Sequence, residues 1–181
     1  MTIAELQQSW LVCGGPQIDE KWDVAWRSNL VKNLELLVNQ LWAVGITEIF
    51  VDGSFVEDKN KPGDIDGYFE CRVEDFKRLK VELNNLNPGI WTWDDKDKRF
   101  HPDSPSKRQI PMWHSYRVEL WPHYGNLPIG RDKFGNALQC PSFFRQLKDQ
   151  TSLRDDEPIQ KGIIKILKPG NHPLIKKGRA K

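Results

Sequence analysis

Between Trp22 and Asp66 the chain sets out helix, strand, turn and strand with little slack, and this block constrains the fold more than any other stretch. Trp26, Leu30, Leu34, Leu37 and Leu41 recur at spacings of three and four, giving one apolar stripe on a helix from Trp22 to Val44. Gly45 stands where a helix C-cap is expected. Ile46-Thr47-Glu48-Ile49-Phe50-Val51 follows at once; its β-branched and aromatic residues predict a strand at least half buried. A polar loop with Gly and Pro runs from Asp52 to Gly63, and Asp64-Ile65-Asp66-Gly67-Tyr68-Phe69-Glu70-Cys71 reads as a second strand.

Further on, Phe76, Leu79, Leu83 and Leu86 share one side of a helix from Glu74 to Leu86, closed by Asn87-Pro88-Gly89. Trp91 to Pro111 is charged and Pro-rich and reads as a long loop or insertion, a kind of segment that is often functional. Ser115 to Trp121 reads as a third strand closed by Pro122, and Gly162 to Leu167 as a last one. Helix, strand, strand, helix, strand, strand implies an α/β (α+β) single domain, with a mixed β-sheet flanked by helices. A chain of 181 residues is the right size for that. The expected division is an N-terminal extension over 1–21, after the breaker cluster Cys13-Gly14-Gly15-Pro16, a domain over 22–167 and a basic tail over 168–181.

Several function classes fall on composition. No apolar run approaches the roughly 20 residues of a membrane helix. Met1 to Trp10 lacks the basic-then-apolar order of a secretory signal. Cys13, Cys71 and Cys140 are too far apart for a zinc knuckle or redox dithiol, and their odd number argues against a disulfide framework. A reducing, cytoplasmic compartment is the simplest expectation. Charge is unevenly spread: Lys161 to Lys181 holds seven Lys/Arg and no acid, leaving the first 160 residues at −5. Such a tail suits nucleic acid or an acidic protein, or is simply a solvated end.

The chemistry concentrates in Val51-Asp52-Gly53-Ser54-Phe55, then Lys59, Lys61, Pro62 and Asp64-Ile65-Asp66. Gly-Ser at the end of a buried strand permits a sharp turn whose N–H groups and hydroxyl approach a phosphate with no Cβ in the way. Ten residues later, Asp64 and Asp66 at i and i+2 on a strand face the same way, about 6–7 Å apart, with Ile65 turned to the core. That separation suits two carboxylates sharing hard cations that keep substrate phosphates in their shell. Glu119, a lone acid between Val118 and Leu120, offers a third carboxylate; solvent exposure on a half-buried strand is the alternative.

This arrangement resembles the signature of the DNA polymerase β-like nucleotidyltransferase superfamily. Closer still is a group of small prokaryotic and phage nucleotidyltransferase-like proteins. The likeness rests on Gly53 to Val56, Pro62 to Gly67, Glu119 to Pro122 and Lys161 to Ile164. It implies a nucleotidyltransferase fold in which Gly53 and Ser54 hold the phosphates of a nucleoside triphosphate. Asp64, Asp66 and Glu119 would ligate Mg²⁺ (or Mn²⁺), with Glu119 drawing the proton from the attacking hydroxyl. The implied reaction moves NMP to that hydroxyl, with release of pyrophosphate. The third position is usually aspartate in the group, so Glu119 is one methylene longer. Lys59 and Lys61 lie in the same loop and are candidate phosphate contacts, or ordinary solvated charges.

The acceptor implied is a protein, an RNA end or a small molecule, with a protein partner encoded nearby, as in a toxin–antitoxin pair, the first expectation. The alternative is a non-catalytic nucleotidyltransferase-fold binding module, an antitoxin or partner-sensing protein, in keeping with Glu119 at the third position. A third reading is RNA binding through the basic tail. Trp91 and Trp93, at strand spacing, suit either a stacking surface or a core contact. His101, His114 and His123 form no metal spacing with the cysteines, and His114 and Arg117 carry no assigned role.

Overall fold

The computed structural model describes residues 1–16, 19–125, 127, 128, 130, 131, 135, 137–141 and 162–170. Two short helices, α1 (Ile3–Gln7) and α2 (Trp10–Cys13), precede the long α3 (Val24–Ala43). Strand β1 (Ile49–Asp52) runs into a 3₁₀ turn over Gly53–Val56, then β2 (Ile65–Glu70) and α4 (Val73–Leu86). After α4 come a 3₁₀ turn (Asp95–Asp97), β3 (Arg99–His101), β4 (Ser104–Gln109), α5 (Pro111–Tyr116) and β5 (Val118–His123). Short pieces β6 (Gly130–Arg131) and β7 (Ala137–Leu138) pair with each other, and β8 (Ile164–Ile166) closes the described chain.

The main sheet is mixed, in the order β5-β2-β1-β8. β1 pairs antiparallel with both β2 and β8, whereas β2 and β5 are parallel, joined by the crossover through α4. The apolar stripe of α3 supplies Leu30, Leu34, Leu37 and Leu41, all fully buried. They share one core with Ile49 and Val51, Ile65 and Phe69, and Val118 and Leu120. These six strand residues alternate along β1, β2 and β5 and so occupy one face of the sheet, leaving Asp52, Asp66 and Glu119 on the other. The expected α/β (α+β) mixed-sheet domain is the observed one.

Four expectations differ in detail. The N-terminal segment is packed into the body rather than extending from it: Ile3, Leu6 and Val12 are core residues. Thr2 and Glu5 form a capping box on α1, and Met1 exchanges backbone hydrogen bonds with Lys165 and Leu167 beside β8. The stretch from Trp91 to Pro111 is a β-hairpin in its second half, β3 pairing antiparallel with β4. Its charged, Pro-bearing sequence lacks alternation because both strands are largely exposed. Ser115 and Tyr116 belong to a helix, begun by Pro111 at its first turn and ended by Arg117 in the left-handed region, φ 54°. Pro122 does not close the third strand: β5 lies at the sheet edge, where a missing N–H breaks no ladder, and continues to His123. Of the proposed basic tail, 171–181 lies outside the described residues, as does Lys161.

Candidate active site

The turn after β1 is built on Gly53, buried at φ +77°. A Cβ there would stand 2.1 Å from Asp66 Oδ2, so the Asp66 carboxylate fills the space a side chain would need. The Gly53 N–H donates to Asp52 Oδ1 at 2.5 Å. This amide, expected for a phosphate, is taken up by a buried carboxylate that sequence reasoning left in the loop. Ser54 is half-buried beside it.

Register then sets the carboxylates in a row. Asp52 on β1 is the partner of Asp66 on β2, and Asp66 is the partner of Glu119 on β5. Residues opposite each other in a sheet put their side chains on the same face. Asp64 stands one residue before β2, half-buried, its Oδ2 accepting from Trp113 Nε1 at 2.7 Å. Ile65, fully buried between the two acids, anchors the strand start, and its N–H donates to the Arg117 carbonyl at 3.0 Å. Gly67 is also required here: an added Cβ would meet the Phe50 carbonyl oxygen at 2.3 Å.

Glu119 is only 9% exposed, so it does not face solvent. Burial, then the negative charges of Asp66 and Asp64, push its pKa up to about 7; a hydrogen bond from Trp121 and the charge of Lys107 oppose the rise. Three carboxylates whose charges oppose one another are a donor set that suits a hard divalent cation. Among the described residues, however, no three His, Cys, Asp or Glu side chains already stand together as a metal-holding group. The donor chemistry fits such an ion, and the carboxylates would have to draw closer around it.

The two lysines of the loop are not brought to this row. Lys61 pairs with Asp23 at 2.9 Å, the N-cap of α3, and Lys59 is exposed. The whole loop is strapped to the first turns of α3. Arg27, fully buried, donates to the carbonyls of Phe55 (2.8 Å), Glu57 (3.4 Å) and Lys59, and also to that of Leu11 (2.7 Å). Trp22 lies 3.7 Å from its guanidinium, and burial lowers its pKa to about 10, leaving it charged at neutral pH. Trp26 Nε1 donates to the Pro62 carbonyl at 2.6 Å.

The sequence reading gives Asp52, though inside the Gly-Ser stretch, no role of its own, and it does not place Trp113, Lys107 or Arg27 in this region. Trp113 joins Asp64 to the hairpin: its ring lies 4.6 Å from His101 and 5.1 Å from His114, with the Arg117 guanidinium 3.8 Å from its centre. Trp91 is fully buried, donating to Gln40 Oε1 at 2.6 Å, and is a core contact rather than a stacking surface; Trp93 donates to the Leu120 carbonyl. A cleft of about 460 Å³ lined by Trp10, Trp22, Val56 and Glu57, among others, lies away from Asp52, Asp64, Asp66 and Glu119, none of which lines it.

The fold and site define a mixed α+β domain with a carboxylate row on one sheet face, beside a glycine turn. The chain belongs to the family of unknown function DUF6932, whose model matches residues 1–167, the N-terminal helices included. No curated protein and no solved structure matches it.

Proposed function

We propose that the protein is a metal-dependent nucleotidyltransferase, moving NMP from a nucleoside triphosphate to an acceptor hydroxyl. One observation carries the reading: Asp66 is in register with Glu119 on the neighbouring strand, its carboxylate is seated on the Gly53 turn, and Asp64 adds its charge to the same row. Asp64, Asp66 and Glu119 would hold Mg²⁺ or Mn²⁺. Such a cation, when bound, neutralises phosphate charge and polarises the phosphoryl oxygens. Trp113 fixes the direction of Asp64 through its hydrogen bond, and the Gly53 turn leaves room for Asp66. Glu119, whose raised pKa without a cation would fall on binding one, would then be ionised and placed to take the proton from an acceptor hydroxyl.

A second reading, a binding module that keeps the fold without catalysis, is favoured by one feature: Gly53 N–H and Lys61 are already engaged by Asp52 and Asp23. Transfer of label from α-labelled nucleoside triphosphates, with Mg²⁺ or Mn²⁺, in lysate of the native host separates the two. Label on a protein or RNA band with wild type, absent with Asp64→Ala/Asp66→Ala, upholds the transferase and gives the acceptor class. No transfer and no triphosphate binding favours the module, as does a partner retained by the double variant.

A further inference from the structure

We infer that the β3–β4 hairpin, with Arg117 at its base, is the docking surface for a single-stranded polynucleotide acceptor. This rests on the transferase reading for the word acceptor, though not for the surface itself. The hairpin carries Arg99, Phe100, Lys107 and Arg108, all exposed, with Asp103 as its one acid. Arg99, Lys107, Arg108 and Arg117 make no ion pair among the described residues. Lys61, Arg72, Arg78, Lys80, Lys98 and Lys165 are each paired with a carboxylate, and other described cations such as Lys32, Lys59 and Lys77 are likewise without an ion pair among those residues; the hairpin differs in setting three such cations on one two-stranded ribbon around Phe100. Lys107 lies near enough to Glu119, and Arg108 to Asp95, for its charge to be felt there, but neither is held in an ion pair, so the ribbon's cations are free to meet phosphates.

Phe100 supplies the second element. It is 67% exposed, with the Arg108 guanidinium 5.7 Å from its ring centre and Arg108 itself pinned to the Lys98 carbonyl at 2.6 Å. Phe100 and Arg108 are cross-strand partners, so ring and cation present together on one side of the ribbon. An exposed ring framed by cations is the arrangement on which successive bases stack while the backbone follows the charges. A protein partner would be expected to meet a broader apolar surface, and exposed Phe100 stands alone between basic and polar neighbours.

The hairpin is also tied to the carboxylates. His101 packs on Trp113, Trp113 holds Asp64, and His114 Nε2 lies 3.2 Å from the Arg99 carbonyl oxygen. Lys107 is near enough to Glu119 to favour its ionised form. A strand bound along the ribbon therefore has its end within reach of the row.

The test is fluorescence anisotropy of the full-length chain with labelled mixed-sequence 12-nucleotide RNA and DNA strands, in EDTA, from about 50 to about 200 mM salt. Phe100→Ala should weaken binding about tenfold without changing the salt slope, and Phe100→Trp should restore it. Arg99→Ala/Lys107→Ala/Arg108→Ala should lower the log–log salt slope by about two, at roughly 0.7 per phosphate contact on a single strand. Binding that these substitutions leave unchanged, as expected if the C-terminal tail alone holds the strand, overturns the inference, and so does no binding at the lowest salt. Because EDTA removes divalent ions, the outcome stands apart from the transferase: triphosphate binding with Mg²⁺, measured separately, judges that reading alone.

Discussion

Gly53 and Asp66 compete for the same volume: the position a Cβ would take on the glycine is 2.1 Å from the aspartate Oδ2. Gly53→Ala therefore meets two costs, a left-handed φ of +77° and a clash with the carboxylate. The first should remove on the order of 1–2 kcal/mol. The second exists only while Asp66 keeps its side chain. Chemical denaturation of Gly53→Ala in wild-type and Asp66→Ala backgrounds should thus show a smaller loss in the second, with a coupling of about 1 kcal/mol or more. Additive losses would mean the two do not share that space.

Glu119 makes the domain less stable as pH rises. Its pKa is about 7 in the fold against an ordinary 4.5, so between these values the folded chain keeps a proton that the unfolded chain has released. Stability falls across pH 4.5 to about 7 on this account and is level beyond, the whole effect being on the order of 3 kcal/mol. Glu119→Gln should flatten that fall in thermal melts recorded in EDTA. A fall of equal size in the variant would place its origin in other groups.

The elements with periodic patterns were legible in the sequence. The stripe of α3 and the strands around Phe50 and Phe69 bury one face each, and burial is what periodicity reports. Three of the carboxylates were legible for a related reason: Asp64 and Asp66 flank an apolar residue, and Glu119 is an acid between apolar ones. The β3–β4 hairpin was not, since exposed strands are under no demand to alternate. Nor was Asp52, whose partnership with Asp66 is a fact of register between strands 13 residues apart. Lys107 and Trp113 reach the site through a hairpin and a two-turn helix, and nothing in their own neighbourhoods marks the approach.

Trp113 is buried and its indole N–H is the described donor to Asp64, so ring and hydrogen bond can be separated. Trp113→Phe keeps most of the apolar volume and should cost about 1–2 kcal/mol of stability. If Asp64 helps to hold a cation for a triphosphate, the same change should weaken Mg²⁺-dependent triphosphate binding about tenfold. Calorimetric titration showing unchanged binding would assign the bond to the fold alone.

The three thiols should divide sharply. Cys13 is exposed, whereas burial pushes Cys71 up to about 11 and Cys140 up to about 12. The thiolate is the reacting species, and at pH 8 roughly a thousandth or less of half-buried Cys71 or buried Cys140 is ionised. A disulfide reagent should titrate one thiol rapidly in the native protein and all three only with denaturant; three equal rates would contradict the packing.

Arg27 governs the loop that joins the glycine turn to the aspartates. From α3 its guanidinium donates to three carbonyls of that loop, Phe55, Glu57 and Lys59, and to Leu11 behind it. Hydrogen bonds from a charged donor are worth about 1.5–3 kcal/mol each before the cost of burying the charge. Much of that gain is offset by burial, so Arg27→Met, which keeps the volume, should lose on the order of 3 kcal/mol, or about 6–12 °C in melting temperature for a domain of this size. Arg27→Lys should fare little better, because an ammonium cannot span carbonyls arranged for a planar fork. The loop should also loosen locally, so amide exchange at 57–60 should quicken more than exchange in β1 or β2. Uniform acceleration across the sheet would mean that Arg27 supports the core as a whole and not the strap over the site.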